Sequence, residues 1–343
     1  MDGGRVMRLV GLRVDEALPE VNASAGVAMI DARELQRQAP DLHLLALDTT
    51  GDPNGVLRAR CSCWWTEAPP IAGERVGTIG HYAASDAEAG AWLIERACRR
   101  LQDAGCTLAI APMDGNTWRR YRFVIERGDE ATFFLEPDQP DSWPDHFVAC
   151  GFGELATYTS ALTTDLAQAD PRLQSAAARL ASRGVTIRSF ESPAAPARVE
   201  ADLRRIYALS RVSFASNYLY TPIDEAEFIE QYRSVLPMVR PELVLLAERE
   251  GELVGFLFAL PDLLQQRRTG STDTIIIKTV AVAPDAASAG LGSVLVGQVQ
   301  QQAQVLGYRR AIHALMHERN VSQNISRRYA RPIRRYALFS RAL

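Results

Sequence analysis

Apolar residues in the C-terminal half of the chain recur with two periods, one typical of strands and one typical of helices. The segment LVLLAEREGELVGFLFAL, residues 243–260, has an apolar run on either side of Glu250 and Gly251 and predicts a β-hairpin. Further strands are predicted at residues 185–187, 275–282 and 310–316, and helices at residues 198–214, 224–235 and from Leu291 to a stop at Gly307. This order of elements predicts an α/β domain with a mixed sheet flanked by helices.

One junction between a strand and a helix indicates a ligand site. The segment IIIKTVAVAPDAASAGLGSVLVGQVQ, residues 275–300, joins a buried strand to an amphipathic helix through a turn of small residues. Small side chains let the backbone approach a ligand, and the N–H groups of a helix's first turn, together with the helix dipole, favour an anion. A pyrophosphate-bearing ligand is therefore predicted at this junction.

The junction resembles the acetyl-CoA loop of the GCN5-related N-acetyltransferases (the GNAT superfamily), in which Arg or Gln is followed by two residues, Gly, one residue, and Gly or Ala. Ala287 stands in the first position, so one side-chain contact to the phosphates is missing while the main-chain cradle is kept. The resemblance implies acetyl-CoA, or another acyl-CoA, as co-substrate, with no metal. It assigns these residues to cofactor binding: Val280, Ala281, Val282, Ala287, Ser288, Ala289, Gly290, Leu291, Gly292, Ser293 and Asn320.

The N-terminal half repeats this plan in a shorter form, which predicts a second copy of the same fold. A strand predicted at residues 74–82 leads into a helix, a second strand is predicted at residues 107–111, and FVACGFGELATY, residues 147–158, resembles a closing strand of the family. Residues 86–90 keep one glycine of the cradle and lose the other. We therefore expect this copy to bind the cofactor poorly or not at all.

A chain of 343 residues is long enough for two such domains. The predicted division is a degenerate GNAT-like domain at residues 1–165, a helical linker at residues 166–184, and an acyl-CoA-binding GNAT domain at residues 185–343. The predicted fold class is α/β, with two tandem GNAT folds. The arrangement resembles that of uncharacterised bacterial tandem acetyltransferase-like proteins.

Acyl transfer from a thioester to an amine needs a proton donor for the departing thiolate. In the resembled family this donor is often a tyrosine of the penultimate helix, and a phenol with a pKa of about 10 suits a thiol. The resemblance assigns the role to Tyr329, with Tyr336 and Tyr308 as alternatives because Tyr329 follows Asn320 by nine positions, more than the family's spacing. A tyrosine that only packs in the last helix is the structural alternative, and Asn320 either contacts the pantetheine arm or caps the helix that follows.

Lys278 occupies the strand position at which many relatives carry a glutamate that positions or deprotonates the amine. A cation there repels an ammonium group and attracts a carboxylate. Lys278 is therefore assigned to acceptor positioning, with extension into solvent as the alternative. A water chain, His317, Glu318 and Glu248 are the alternatives for the base.

Two segments are candidates for the acceptor site. SNYLYT, residues 216–221, contains Tyr218 and Tyr220, which either form an aromatic wall of the site or cover the core. DGNTWRRYRF, residues 114–123, interleaves arginines with aromatic side chains and predicts either an anion site or a domain interface.

The composition, with 47% apolar and 23% charged residues, is that of a globular protein. A net charge of -3 and a pI near 6.0 argue against a general nucleic-acid partner. The sequence has no apolar run of membrane-spanning length and no secretion signal, which predicts a cytoplasmic protein without a membrane partner. The five cysteines are odd in number and lack zinc-site spacing, and no metal is expected. A homo-oligomer is compatible with the sequence, which does not determine it.

These features together predict an acetyl-CoA-dependent N-acetyltransferase that transfers an acyl group directly from CoA to an amine of a small-molecule or peptide acceptor. One alternative is a non-catalytic acyl-CoA-binding or regulatory protein, suggested by Ala287 and Lys278. The other is an N-acyltransferase for longer acyl chains, suggested by residues 263–271, which could open the pocket.

Overall fold

The computed structural model of the chain describes residues 5–167, 171–191, 195–318 and 330–343. The described residues form a mixed α/β structure around one 14-stranded sheet. Mixed sheets flanked by helices bury both sheet faces, which accounts for the apolar runs in the sequence.

Eight strands and three helices come from the N-terminal half. They are β1 (Met7–Leu12), β2 (Asn22–Ala23), α1 (Ala32–Gln38), β3 (Leu42–Asp48), β4 (Val56–Trp64), β5 (Val76–Ala84), α2 (Ala87–Asp103), β6 (Leu108–Ala111), β7 (Phe123–Glu126), α3 (Trp143–Ala149) and β8 (Gly153–Thr163).

Six strands and five α-helices follow in the described C-terminal part. They are α4 (Pro171–Ser182), β9 (Thr186–Ser189), α5 (Pro196–Ser213), α6 (Glu225–Val235), β10 (Val244–Arg249), β11 (Glu252–Pro261), α7 (Leu263–Thr269), β12 (Thr274–Val282), α8 (Leu291–Val305), β13 (Arg310–His317) and β14 (Arg331–Ala342). Short 3-10 helices lie at Leu236–Met238, Pro241–Leu243 and Ala286–Ser288. The predicted hairpin, cradle helix and flanking strands are all present.

The strand order along the sheet is β1-β3-β4-β5-β6-β14-β8-β13-β12-β11-β10-β9, with β2 beside β4 and β7 beside β14. The pairs β5–β6 and β12–β13 are parallel, and each pair is joined through a helix, α2 in the first half and α8 in the second. The series β3, β4, β5, β6 is thus matched by β10, β11, β12, β13. This match explains the repeated sequence pattern.

The two halves exchange their closing strands. Strand β8 pairs antiparallel with β13, and β14 pairs antiparallel with both β8 and β6. The end of the N-terminal half therefore lies next to the C-terminal strands, and the end of the chain lies next to the N-terminal strands. The division of the chain at residues 165 and 185 stays a prediction, but hydrogen-bonded pairing crosses it.

Helix α4 is a packed element of the C-terminal part. A Cβ atom added to Gly297 in α8 would lie 2.6 Å from Leu173 Cδ1 of α4, so the two helices approach closely where a glycine leaves room. Leu291, Val294, Leu295 and Val299 of α8 are buried in the same core. The predicted linker region thus helps to hold the cradle helix in place.

Candidate functional site

The sheet opens at a notch between β12 and β13. Their parallel pairing runs from Thr274 with Arg310 to Ile277 with His313, whereas β12 continues to Val282 and β13 to His317. Beyond His313, β13 shifts register against β8, and Leu315 has a φ of 58°. This irregularity turns β13 away from β12, which leaves a gap where the two strands end.

The backbone edge of β12 that faces the notch is partly engaged by α5. Val282 N–H donates to Ser213 Oγ at 3.2 Å, and the Ser213 hydroxyl donates to Val282 O at 3.0 Å. Ala283 N–H instead donates to Val254 O, toward β11. Because successive residues of a strand present their backbone groups to opposite edges, Val280 faces the same edge as Val282 and Ala281 faces β11.

Helix α8 begins without a capping side chain in the described structure. Its N-cap residue, Gly290, has a φ of 88°, a conformation that favours glycine. Leu291, Gly292 and Ser293 form the first turn, which contains no acidic residue. The first-turn N–H groups therefore remain suited to an anion.

The loop before α8 has its own internal contacts. Ser288 N–H donates to Asp285 Oδ1 at 2.7 Å, so this amide already has an acceptor. Leu291 is fully buried, and its side chain packs against Gly255 of β11. These contacts fix the height of the α8 N-terminus above the sheet.

Arg179 of α4 and Arg183, in the turn that follows α4, reach the cradle. Arg179 Nη2 donates to Ala289 O at 3.2 Å, and Arg183 Nη1 donates to Ala287 O at 3.5 Å. A Cβ atom on Gly290 would lie 3.2 Å from Arg179 Nη2, so this guanidinium adjoins the N-terminus of α8. Positive charge is thus present where Ala287 supplies none.

The corresponding junction of the N-terminal half carries its own anion. Asp86 caps α2 by accepting a hydrogen bond from Ala89 N–H, and it pairs with Arg58 at 2.7 Å and Arg5 at 3.1 Å. Hydrogen bonds and these cations hold the pKa of Asp86 at about 2 despite the opposing effect of burial. A phosphate would meet a carboxylate there, which supports the prediction that this copy binds CoA poorly.

A pocket of about 1580 Å³ lies between the two halves and includes the notch. Residues 114–123 of the N-terminal half and residues 216–221 of the C-terminal half both contribute to its wall. Trp118 Nε1 donates to Thr221 O at 2.8 Å, which joins the two segments. The two predicted acceptor segments therefore meet, and the first is at once an interface and part of the pocket wall.

Lys278 lies on the pocket wall at the first β12 position beyond the pairing with β13. Its Nζ donates to Leu135 O of the N-terminal half at 3.3 Å. Burial, and secondarily the positive charge of Arg122, lower the pKa of Lys278 to about 7, while Glu136 acts in the opposite direction. The side chain thus crosses to the other half of the molecule.

Tyr218 and Tyr220 both line the pocket. Tyr218 is 41% exposed, and its ring lies 5.7 Å from that of His317. The Tyr220 ring lies 6.0 Å from that of Trp118, and its buried hydroxyl has no hydrogen-bond partner among the described residues. Both side chains are available to contact a molecule in the pocket.

Tyr336 lies in a buried polar network. Its hydroxyl donates to Glu136 and contacts Ser160 Oγ at 2.9 Å, while Glu136 also forms a salt bridge with Arg334 at 2.8 Å. Burial, followed by the Glu136 charge, raises the pKa of Tyr336 well above its usual value. The hydroxyl proton of Tyr336 is therefore used in a hydrogen bond to Glu136 within this network. Tyr329 and Asn320 lie outside the described residues.

The other residues that the sequence offered as base or acid differ in whether they line the pocket. His317 and Glu318 line the pocket. Glu248 accepts hydrogen bonds from Arg188 at 3.1 Å and Arg205 at 2.6 Å, and it does not line the pocket in the described structure. Tyr308 is buried in the core beside α8.

The N-terminal end of the pocket contains a chain of buried polar groups. His81 Nε2 donates to Gln38 Oε1 at 3.0 Å, and His81 Nδ1 lies 2.9 Å from Ser62 Oγ, an assignment of protons that satisfies both contacts. Asp114 accepts the His81 backbone N–H at 2.6 Å. Burial lowers the pKa of His81 to about 2 and raises the pKa of Asp114 to about 6.

The sequence interpretation did not single out Arg122, Ser213 or Arg179. The sequence pointed to Arg122 only as one of residues 114–123. Its backbone conformation, with a φ of 71°, could not be predicted from that pattern. Ser213 ends a helix and gave no motif. Arg179 lay in the predicted linker, and the sequence there gave no motif that pointed to the cradle.

The described residues were also compared with the requirements of a metal site and of a membrane-spanning helix. They contain no group of three His, Cys, Asp or Glu side chains arranged to hold a metal ion. None of the helices in the described residues combines the length and the apolar character needed to span a membrane.

The comparisons with known proteins agree with this geometry. Residues 203–330 match the family model described as the acetyltransferase (GNAT) family. A search of curated proteins finds no match.

Two solved structures share the fold of most of the chain. A tandem GNAT protein from the clavulanic acid biosynthesis pathway has a TM-score of 0.51 at 12% identity, with 98% of each chain covered. A GCN5-related glucosamine N-acetyltransferase region of a fungal multi-domain GH3 β-N-acetylglucosaminidase has a TM-score of 0.53 at 14% identity. The match covers 88% of this chain but 33% of the fungal protein, so the chain spans about a third of that relative's length.

A GCN5-related N-acetyltransferase from Sphaerobacter thermophilus is also similar, with a TM-score of 0.49, 16% identity, and coverage of 91% of this chain and 85% of the other. The fold is therefore that of tandem GNAT proteins, as predicted. The family match lies in the C-terminal part of the chain, and the structural likeness extends the shared fold to the N-terminal half.

Proposed function

We propose that the protein is an acetyl-CoA-dependent N-acetyltransferase that transfers the acyl group directly to an amine held in the pocket between the halves. The observation that carries this proposal is the combination of an uncapped α8 N-terminus with a notch that opens into that pocket. The first feature suits the phosphates of CoA, and the second gives the thioester end a route to an acceptor.

Binding of the CoA phosphates is proposed to use the first-turn amides of α8, at Leu291, Gly292 and Ser293. Arg179 of α4 and Arg183 of the following turn add positive charge, because their guanidinium groups lie against the carbonyls of the same loop. They take the place of the Arg or Gln that the family usually has at position 287. The missing motif residue is thus no argument against CoA binding.

Polarisation of the thioester carbonyl is proposed to come from the backbone of Val280. The Val282 amide is engaged by Ser213, and Ala281 faces β11, whereas Val280 presents its amide to the notch edge. A hydrogen bond from this amide to the developing oxyanion stabilises the tetrahedral intermediate.

In the chemical step the amine nitrogen forms a bond to the carbonyl carbon, and the carbon–sulfur bond then breaks. The ammonium proton leaves to water in the pocket, with His317 or Glu318 as the final acceptor on its wall. The CoA thiolate takes a proton from Tyr329, the acid that the resemblance assigns. Tyr336 is less suited because its hydroxyl donates to Glu136.

The alternative of longer acyl chains receives no support from residues 263–271. They include α7, which docks on the N-terminal half through Arg268 Nη1 and Thr132 O at 2.7 Å, and they do not line the pocket in the described structure. Release of free CoA thiol distinguishes the proposed enzyme from the non-catalytic alternative, which would bind acyl-CoA without turnover.

Release of free CoA thiol from acetyl-CoA in the presence of a panel of amines tests the proposal. We expect acceptor-dependent thiol release by the intact protein, loss of at least 90% of the rate in Tyr329→Phe, and an unchanged rate in Arg204→Gln. Arg204 is an exposed arginine that pairs with Glu200 and Glu225, so it controls for a change of surface charge. Saturable acetyl-CoA binding without thiol release for any amine would instead identify a binding protein.

A further inference from the structure

Two cationic side chains, one from each half of the chain, face the pocket close to the notch. Arg122 of the N-terminal half is 7% exposed and lines the pocket. Its Nη1 donates to Leu315 O at 3.1 Å, and its guanidinium lies over the rings of Tyr121 and Tyr158 at 3.8 and 4.1 Å. Its Nε–H has no acceptor among the described residues.

Lys278 approaches the same region from β12. In the described structure its Nζ donates to Leu135 O, a neutral carbonyl. Both side chains line the same pocket, and the Arg122 charge, after burial, also lowers the pKa of Lys278. The pocket therefore concentrates positive charge beside the notch.

Glu136, the carboxylate whose charge acts on Lys278, is already paired with another cation. Glu136 is fully buried and forms a two-pronged salt bridge with Arg334, at 2.8 and 3.2 Å, while accepting the Tyr336 hydroxyl. Within the described ranges neither Arg122 nor Lys278 forms an ion pair. A buried cation without a counter-charge is unfavourable, and an anionic ligand would relieve that cost.

The backbone around the pair is also held in a costly conformation. Arg122, Leu135 and Leu315 have φ values of 71°, 63° and 58°, and the last two supply the carbonyls that receive the cations. Side-chain-bearing residues adopt this region rarely, and such strain is concentrated at functional sites. The carbonyls that receive the two cations therefore belong to strained residues of the pocket wall.

We propose that Arg122 and Lys278 bind the carboxylate of the acceptor, so that the amine acetylated by this protein belongs to an amino acid or a similar aminocarboxylic acid. The inference rests on the proposed function and specifies its substrate class. Arg122 offers its free Nε–H as a directional donor, and Lys278 adds a point charge. An acceptor carboxylate neutralises the cation that would otherwise repel the ammonium group at this strand position.

Matched acceptors test the proposal directly. The intact protein is assayed for thiol release with the common L-amino acids, their primary amides, and the decarboxylated amines, and binding of the same compounds is measured by calorimetry in the presence of CoA. We expect kcat/KM to be at least tenfold higher for the best amino acid than for its amide or decarboxylated amine. The calorimetric affinities should follow the same order.

Variants of Lys278 and Arg122 test whether these side chains cause the preference for amino acids over their amides. Lys278→Gln and Arg122→Gln should raise KM for the amino acid at least tenfold, bring it close to that of the amide, and leave acetyl-CoA affinity unchanged. Arg122→Lys keeps the charge with less disruption of packing and should restore part of the preference. Arg204→Gln removes an exposed arginine that does not line the pocket in the described structure and serves as the control.

Three outcomes would overturn the proposal. They are equal rates and affinities for acids and amides, a preference for aminoalkylphosphonates over amino acids, and binding of no aminocarboxylic acid to a protein that still binds CoA. If acetyl-CoA itself fails to bind, the proposed function fails instead. If amino acids bind with the stated carboxylate preference but no thiol is released, the anion site stands and the catalytic proposal does not.

Discussion

Individual residues on the pocket wall combine unusual backbone conformation with buried charge. His81, Arg122, Leu135 and Leu315 all line the pocket with positive φ values. Each such conformation costs on the order of 1–3 kcal/mol for a residue with a side chain, and the surrounding sheet and core must offset that cost. The geometry of the pocket is therefore maintained by the rest of the fold.

Tyr336→Phe should reduce stability without removing catalysis. The substitution deletes a hydrogen bond to the buried Glu136 carboxylate, and we expect the free energy of unfolding to fall by about 1–3 kcal/mol. Urea unfolding and saturating thiol-release rates, measured on Tyr336→Phe and Tyr329→Phe, separate the two tyrosines. Full stability with lost turnover in Tyr336→Phe would transfer the role of the acid to that residue.

The buried histidines predict acid sensitivity. Burial lowers the pKa of His43 to about 3, of His81 to about 2 and of His313 to about 4. The unfolded chain binds these protons below pH about 6.5 and the folded chain does not, so their contribution to stability is present above pH 6.5 and is lost as the pH falls. Asp114, with its pKa raised to about 6, has the opposite effect over about pH 4–6.

Burial also lowers the pKa of His146, so the histidines outweigh the one carboxyl group, and the net loss near pH 5 should be on the order of 3 kcal/mol per pH unit. Urea titrations at pH 7.5, 6.5 and 5.5 should show a falling midpoint with a constant slope. A midpoint that stays constant over this range would show that the histidines are not buried as neutral groups.

At the level of helices and strands, the local sequence pattern was sufficient to predict most elements. The apolar spacing of α8 and the continuous apolar run of β12 correspond to faces that are buried in the structure. The partners of β8 and β14 could not be predicted in the same way, because pairing is set by contacts between residues distant in the chain. The contact between Arg122 and Leu315 O could not be predicted either, because the two residues are distant in the chain.

Helix α4 should contribute to CoA affinity. Arg179→Gln removes a charge beside the α8 N-terminus, and we expect the Kd for acetyl-CoA to rise about three- to tenfold, with a weaker dependence on salt. Arg204→Gln, on an exposed face of α5, should leave the Kd unchanged. Equal affinities of the wild type and Arg179→Gln at low salt would remove α4 from the proposed phosphate site.

For the whole molecule, the exchange of strands makes the two halves interdependent. A fragment of residues 166–343 lacks β8, so β13 and β14 lose the strand that lies between them. We expect this fragment to show no cooperative thermal transition by circular dichroism, in contrast to the intact chain. A fragment that unfolds cooperatively and binds acetyl-CoA would show that the halves are independent.

Calorimetric titration of the intact protein with acetyl-CoA, together with Gly292→Glu and Gly292→Gln, tests most directly whether the α8 cradle binds the cofactor. Both substitutions add similar bulk to the first turn of α8, but only the glutamate adds negative charge beside the phosphates. We expect saturable binding by the wild type, a Kd at least tenfold higher for Gly292→Glu, and a smaller effect for Gly292→Gln. Equal affinity of the wild type and Gly292→Glu would contradict the assignment of the cofactor site.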